Sequence, residues 1–268
     1  MIKLVALDLD GTLLNEKKIV SEKNKKAIGM LKEKGIHVIL CTGRPLLGMK
    51  HLLEELDLNN PGNYAITYNG GLVQETHTGG TIYSKSFQFE EVEDIYQMSQ
   101  TIGVPCNFID LEKVYEPSYP EGRPSMYPEI MNILPFEKIN GKNTPDAEIN
   151  KIVFCTPQYH LDNAIEKIPQ SYFEKYTLMK SRPILLEVLP KDVDKGNGIA
   201  KLVEILGIQQ SEVMAIGDQE NDLAMIEYAG IGVAMGNAID SVKRAAQYIT
   251  EDYQNDGVAV AINKFTKE

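Results

Sequence analysis

Soft metal ligands are scarce in this chain: its 268 residues include three cysteines and four histidines. Cys41, Cys106 and Cys155 lie far apart, form no C-x-x-C pair and make an odd total. Neither a disulfide framework nor a thiolate zinc site is therefore indicated, and the three read as reduced, mostly buried thiols of a cytoplasmic protein. His37, His51, His77 and His160 show no i, i+4 pairing, which removes the helical zinc pattern. Long apolar runs are also missing. No span approaches the ~20 residues of a membrane helix, and Asp8 and Asp10 break the opening MIKLVALDLDG too early for a secretory leader. Basic charge is in deficit, with 27 Lys and Arg against 38 Asp and Glu, a formal charge of −11 and a pI near 5.0. Such a surface repels phosphate backbones and anionic lipid, so neither nucleic acid nor membrane is an expected partner.

What is present is ordinary globular material, 43% hydrophobic and 24% charged, in a chain long enough for a large core and a smaller second domain. Residues Ile2 to Leu9 read as an apolar strand. Ser21 to Lys34 carries Ala27, Ile28 and Leu31 at helical spacing, capped by Ser21 and closed by Gly35, and Ile36 to Leu40 makes a second strand. The order repeats with a helix over Gly48 to Leu56 and a strand over Tyr64 to Tyr68 that runs into Asn69-Gly70-Gly71. It returns with a helix at Gly198 to Leu206, a strand at Val213 to Ile216, a helix at Asp222 to Ala229 and a strand at Ile231 to Val233. Alternation of this kind predicts a parallel sheet covered by helices, its two halves supplied by the two ends of the chain.

Between the halves the texture changes. Glu90 to Ile102 and Leu161 to Ile168 read as helices among strand-like runs at Lys113 to Tyr115, Ile149 to Cys155 and Tyr176 to Met179, which predicts an inserted α/β domain. Its middle, Glu116 to Gly141, holds Pro117, Pro120, Pro124, Pro128 and Pro135 and cannot form regular helix or central strand. The expected division is 1–83 and 181–268 for a discontinuous core, and 84–180 for the insertion.

Four short pieces carry possible chemistry. Asp8-Leu9-Asp10-Gly11-Thr12 ends the first strand on two carboxylates spaced i, i+2, a spacing that puts both on one face of an extended strand, within reach of one divalent cation. Thr42-Gly43-Arg44 follows the second strand with a hydroxyl and backbone N–H groups suited to a phosphate oxygen. Lys195 stands at a loop-to-helix junction, where its charge and the helix N-terminus both favour an anion. Gly217-Asp218-Gln219-Glu220-Asn221-Asp222 delivers more carboxylates after another apolar strand. Each piece alone also has a bland reading, as a turn, a cap or a solvated lysine, which the paired carboxylates of Asp8 and Asp10 resist best. Together they fall at carboxyl ends of strands or at adjoining helix starts, so a single pocket would collect them.

This set, in this order, resembles the four motifs of the haloacid dehalogenase superfamily. YNGG at Tyr68, IGDQENDLAMIEYAG from Ile216 and EDYQNDGVA from Glu251 look like the Cof-type IIB, YidA-like sugar phosphatases. The resemblance implies a doubly wound, Rossmann-like α/β core with an inserted α/β cap. It implies Asp8 as nucleophile and Asp10 as general acid/base, and Mg2+ held by Asp8, the Asp10 carbonyl and Asp218, with Asp222 as a further metal-site carboxylate. Leu9, Thr42, Gly43, Arg44, Lys195 and Asn221 would bind the phosphoryl group or substrate. The implied partner is a small-molecule phosphate ester, met by a cytoplasmic monomer or homodimer. A phosphosugar mutase or phosphotransferase on the same scaffold and a receiver-like signalling module are the alternatives. Tyr119, Arg123 and Tyr127 are candidate substrate contacts in the insertion.

Overall fold

The computed structural model describes residues 1–139 and 144–266. Gly141, the end of the Pro-rich stretch, lies outside them. Its strands are β1 (Leu4–Leu7), β2 (His37–Cys41), β3 (Tyr64–Thr67), β4 (Leu72–Glu75), β5 (Thr81–Ser84), β6 (Cys106–Ile109), β7 (Val114–Glu116), β8 (Phe136–Lys138), β9 (Lys151–Cys155), β10 (Tyr176–Arg182), β11 (Leu185–Pro190), β12 (Val213–Gly217), β13 (Ile231–Ala234) and β14 (Tyr248–Ile249). Its helices are α1 (Glu22–Glu33), α2 (Lys50–Glu55), α3 (Phe89–Ile102), α4 (Tyr127–Ile130), α5 (Gln158–Ile165), α6 (Gln170–Lys175), α7 (Lys195–Leu206), α8 (Leu223–Tyr228), α9 (Asp240–Ala245) and α10 (Gly257–Thr266). Among the described residues no helix is long and apolar enough to cross a membrane.

The chain divides into two compact units, Met1–Tyr83 with Asp194–Glu268, and Ser84–Val193. The first is built on a sheet in the order β14-β13-β12-β1-β2-β3-β4-β5. β1, β2, β12 and β13 pair in parallel, and β1 and β12 are apolar and fully buried, as strands covered on both faces must be. The sheet is not parallel throughout, because β4 folds back antiparallel on β3. That hairpin has no apolar alternation long enough to announce it. α1 packs on α10, while α7 contacts α8 and α8 contacts α9. The α1 start follows its sequence: the Ser21 side chain accepts the Asn24 N–H at 3.2 Å.

Strand order reverses at β1, with β2 on one side of it and β12 on the other. Open α/β sheets bind ligands at such a switch point, outside the carboxyl ends of the strands. The residues immediately beyond β1 and β12 are Asp8 and Asp218.

The second unit has its own sheet, ordered β10-β11-β9-β6-β7-β8, and its own core around Ile95, Phe108, Ile152 and Phe154. It runs to Val193, past the expected limit at Lys180. The reason is β11, which pairs with both β9 and β10 and so belongs to this sheet, while Lys180 falls inside β10. Among the described residues of the Pro-rich stretch, the regular structure after the end of β7 is one helical turn, α4, and an edge strand, β8. Tyr127 is buried and meets Phe136 edge to face at 6.1 Å, which places its ring in the interior of the second unit. Arg123 is exposed, and Tyr119 shares its hydroxyl between Asn107 and Glu116.

Candidate active site

Three neighbouring strand ends define the site. Leu7 of β1 lies opposite Ile216 of β12 and Leu40 of β2, so Asp8, Asp218 and Thr42 emerge together at one sheet edge. The Asp8 N–H donates to the Ile216 carbonyl at 3.1 Å, and the Thr42 N–H to that of Ile66 at 2.9 Å, which ties each to the adjacent strand. Lys195 arrives from the start of α7. Asp194 caps that helix by accepting the Asn197 N–H at 2.7 Å, which starts it three residues before Gly198, the start expected from apolar spacing.

The Lys195 side chain is fully buried, and its Nζ lies 2.6 Å from Asp8 Oδ1 and 2.6 Å from Asp222 Oδ1. Asp8, Asp218 and Asp222, all buried, bring carboxylate oxygens within 4.8 Å of one another. Asp222 is engaged on both oxygens, since its Oδ2 accepts the N–H of Asp218 at 2.8 Å and of Gln219 at 2.9 Å. It therefore shapes the loop and holds Lys195. Asp218 is oriented by the Thr12 hydroxyl at 2.9 Å, by Gln219 Nε2 at 3.1 Å and by Asn237 Nδ2 at 3.3 Å. Gly11 sits against it with φ +88°, where an added Cβ would lie 2.5 Å from Asp218 Oδ2, so glycine is required there by both backbone and space.

Electrostatics follow from this crowding. Burial, reinforced by the neighbouring Asp222 carboxylate and only partly opposed by Lys195, pushes Asp8 up to about 7. Burial and Asp222 likewise raise Asp218 to about 6, against the hydrogen bond from Thr12. Burial alone would lower Lys195, but the charges of Asp222 and Asp8 outweigh it and keep the ammonium protonated. One lysine faces three carboxylates, an arrangement compatible with a metal ion because oxygen-only donors carrying excess negative charge suit a hard divalent cation.

Asp10 stands apart. The strand stops at Leu7, so the extended geometry expected to place Asp8 and Asp10 side by side is lost, and Asp10 is not in the close carboxylate group. Its oxygens instead lie 2.6 and 2.7 Å from Arg44 Nη2 and 2.7 Å from Lys18 Nζ. Burial raises its pKa, but the hydrogen bonds from Lys18 and the Arg44 charge prevail and hold it below the ordinary value. The two aspartates therefore occupy opposite environments, Asp8 pushed toward its neutral form by burial and neighbouring carboxylates and Asp10 held in its charged form by Lys18 and Arg44.

Thr42 is buried, and its hydroxyl accepts the Arg44 N–H at 3.3 Å. Leu9 packs its side chain into the hydrophobic core, while its carbonyl accepts the Leu14 N–H at 2.8 Å, so only its main chain could serve a ligand. Asn221 donates from Nδ2 to Asn69 Oδ1 at 3.3 Å. Sequence reasoning missed Asn237 and Lys18 as parts of the site, and gave no role to Thr12, Asn69 and Gln219 although each lies inside a quoted motif. Asn69-Gly70-Gly71 was visible as a strand-end turn, but nothing local reveals that its partners come from remote loops.

Fold and site define a doubly wound α/β protein with a buried acidic cluster braced by lysine at its switch point. A family model described as haloacid dehalogenase-like hydrolase matches residues 5–262. The phosphatase-named protein YxeH of Bacillus subtilis is 40% identical over 266 residues, covering 98% of each chain. A 5-amino-6-(5-phospho-D-ribitylamino)uracil phosphatase of the same organism, YcsE, is 33% identical over 97% of this chain and 94% of its own. A crystal structure of a haloacid dehalogenase-like hydrolase from Bacteroides thetaiotaomicron superposes with a TM-score of 0.84 at 33% identity, covering 98% of this chain and 99% of that one. The subclass IIB sugar phosphatase BT4131 does so at 0.79 and 25% identity, covering 98% of each. The chain belongs to the haloacid dehalogenase-like hydrolase family, in its Cof-type IIB branch. It is a phosphatase enzyme acting on small phosphorylated substrates, and the receiver-like alternative falls away.

Proposed function

We propose that the protein is a Mg2+-dependent phosphatase of sugar phosphates and related metabolites that works through a phosphoryl group carried on Asp8. The observation that supports this best is the pairing of Asp8 Oδ1 with Lys195 at 2.6 Å inside a three-carboxylate cluster, with Asp10 held separately by Arg44 and Lys18. Lys195 keeps the Asp8 carboxylate from rotating and favours its ionised form. A carboxylate oxygen of Asp8 attacks phosphorus in line, the bond from phosphorus to the leaving oxygen breaks, and Asp10, protonated once the anionic substrate draws Arg44 and Lys18 away from it, supplies the proton the leaving alcohol needs. Asp10 then takes a proton from water as that water attacks the phosphoryl group, the bond to Asp8 breaks, and inorganic phosphate leaves. Thr42, the Gly43 N–H, Lys195 and Asn221 stabilise the transferring oxygens, with Arg44 and the Leu9 main chain at the margin. Asp8, the Asp10 carbonyl and Asp218 would hold Mg2+, supported by Asp222, and the bound ion would offset repulsion between Asp8 and the anionic substrate.

Residues 84–193 would act as the cap that selects substrates. Buried free cysteines and an acidic surface suit a cytoplasmic monomer or homodimer with no nucleic-acid partner. A second reading is favoured by the name of YcsE, which makes a phosphorylated ribitylamino compound the substrate. The chemistry is the same monoester hydrolysis. Assay of p-nitrophenyl phosphate, a sugar-phosphate panel and that compound, each with Mg2+ and with excess EDTA, tests both readings. Turnover only with Mg2+ supports the proposal, and full turnover in EDTA contradicts it. Transfer of the phosphoryl group to a second sugar in place of water would favour a mutase.

A further inference from the structure

The loop after β3 joins parts of the site that are distant in sequence. Tyr68 and Asn69 are consecutive non-glycine residues with positive φ, 51° and 55°, and Gly70 follows at +99°. Such backbone is costly for side-chain-bearing residues and is commonest where surrounding contacts enforce it. Here the contacts are those of the phosphate-binding segments. The Asn69 N–H donates to the Thr42 carbonyl at 3.0 Å. A Cβ on Gly43 would stand 2.9 Å from Asn69 Nδ2 and 3.1 Å from its Oδ1, so the Asn69 amide lies directly against the Gly43 backbone. A Cβ on Gly70 would meet the Asp194 carbonyl at 1.9 Å, which seats the same loop on the cap of the helix that carries Lys195. Finally, Asn69 Oδ1 accepts Nδ2 of Asn221.

An amide NH2 has two hydrogens. With one committed to Asn69, the Asn221 amide is fixed in rotation and its other hydrogen has a defined direction. We infer that Asn69 is a positioning residue of this phosphatase: it holds the Asn221 amide in the orientation that binds the phosphoryl group and seats it against the Thr42-Gly43 loop. The inference rests on the phosphate-binding role proposed above for Asn221. Nothing near Asn69 in sequence suggests this role, since its partners Thr42, Gly43 and Asn221 come from two other strand ends.

Asn69→Gly separates positioning from mere backbone support, because glycine accepts positive φ more readily than asparagine while losing the amide. Thermal stability equal to or above that of the wild type is expected, together with a kcat/KM for p-nitrophenyl phosphate lowered about 10- to 100-fold and weaker inhibition by inorganic phosphate. Asn221→Ala should cost a similar factor, and the double variant about no more than either single one, since the two residues act as a unit. Asn69→Asp keeps the tolerated backbone and an acceptor for Asn221. In that background Asn221→Ala should again lower kcat/KM, whereas in the Asn69→Gly background it should not. Losses that multiply in the double variant, or wild-type kinetics and phosphate inhibition in Asn69→Gly, would overturn the positioning role alone. Wild-type kinetics in Asn221→Ala would overturn the phosphate-binding reading and this inference with it.

Discussion

Among the described residues each unit buries one lysine against carboxylate, and the two arrangements differ in the number of acidic partners. In the second unit Lys151 on β9 faces Glu187 on β11 at 3.3 Å, with side-chain exposures of 5% and 8%, and Glu187 also accepts the Ser181 hydroxyl at 2.8 Å. Among the described residues Lys151 pairs with this one carboxylate, and the pair joins neighbouring strands. In the first unit Lys195 meets Asp8 and Asp222 at 2.6 Å each, with Asp218 in the same cluster. Folding alone gains nothing from packing a third carboxylate there, because burial and mutual repulsion raise Asp8 to about 7 and Asp218 to about 6. Several carboxylates around one lysine at a sheet's switch point therefore mark the site built for chemistry, and a lysine with one carboxylate between strands marks a structural pair.

The largest effect should come from the excess carboxylate itself. Asp8→Asn keeps nearly the same volume and relieves the repulsion, so the protein should fold at least as well while turnover of p-nitrophenyl phosphate falls on the order of 10⁴-fold or more. Circular dichroism and steady-state kinetics check this together, and near-normal turnover in a folded preparation would remove Asp8 as nucleophile. Lys195→Ala should follow: leaving Asp8 and Asp222 without their cation costs about 3–5 kcal/mol of stability in denaturant titration as well as activity. Lys151→Ala should destabilise in a comparable way yet leave hydrolysis of the small ester unchanged, and Lys151→Met combined with Glu187→Leu should restore stability. If the Lys151 variants abolished turnover of the small ester, the contrast between the two lysines would collapse. Gly43→Ala, whose Cβ collides with the Asn69 amide, should raise KM about tenfold with stability nearly intact, because the phosphate loop must shift by a few tenths of an ångström. The smallest effect on core chemistry should come from exchanging residues 117–128 of the second unit. Sugar-phosphate preference should change there while p-nitrophenyl phosphate turnover moves by only about twofold.

The sequence was most legible where chemistry coincides with strand ends. Asp8, Thr42 and Asp218 each follow an apolar run directly, so their meeting could be derived from parallel-sheet topology. Lys195 became readable through its place at a helix start, although the cap at Asp194 moved that start forward. The β3–β4 hairpin and β11 were not legible. β11, Leu185-Leu186-Glu187-Val188-Leu189-Pro190, is a buried run, and nothing local tells which of two sheets receives it. The separation of Asp10 from Asp8 was also hidden, because it depends on Arg44 and Lys18, brought together only by the fold. Asn69 and Asn237 belong with these cases, since each acts on a residue more than one element away.

Trapping the phosphoryl group tests the central claim most directly. Enzyme quenched with borohydride during turnover of a phosphate monoester should contain homoserine at position 8 in peptide mapping, because borohydride reduces an acyl phosphate but not a free carboxylate. The product should be absent without substrate and absent in Asp8→Asn. Reduction at another carboxylate, or none in an enzyme that is turning over with the intermediate accumulating, would contradict a phosphoryl group carried on Asp8.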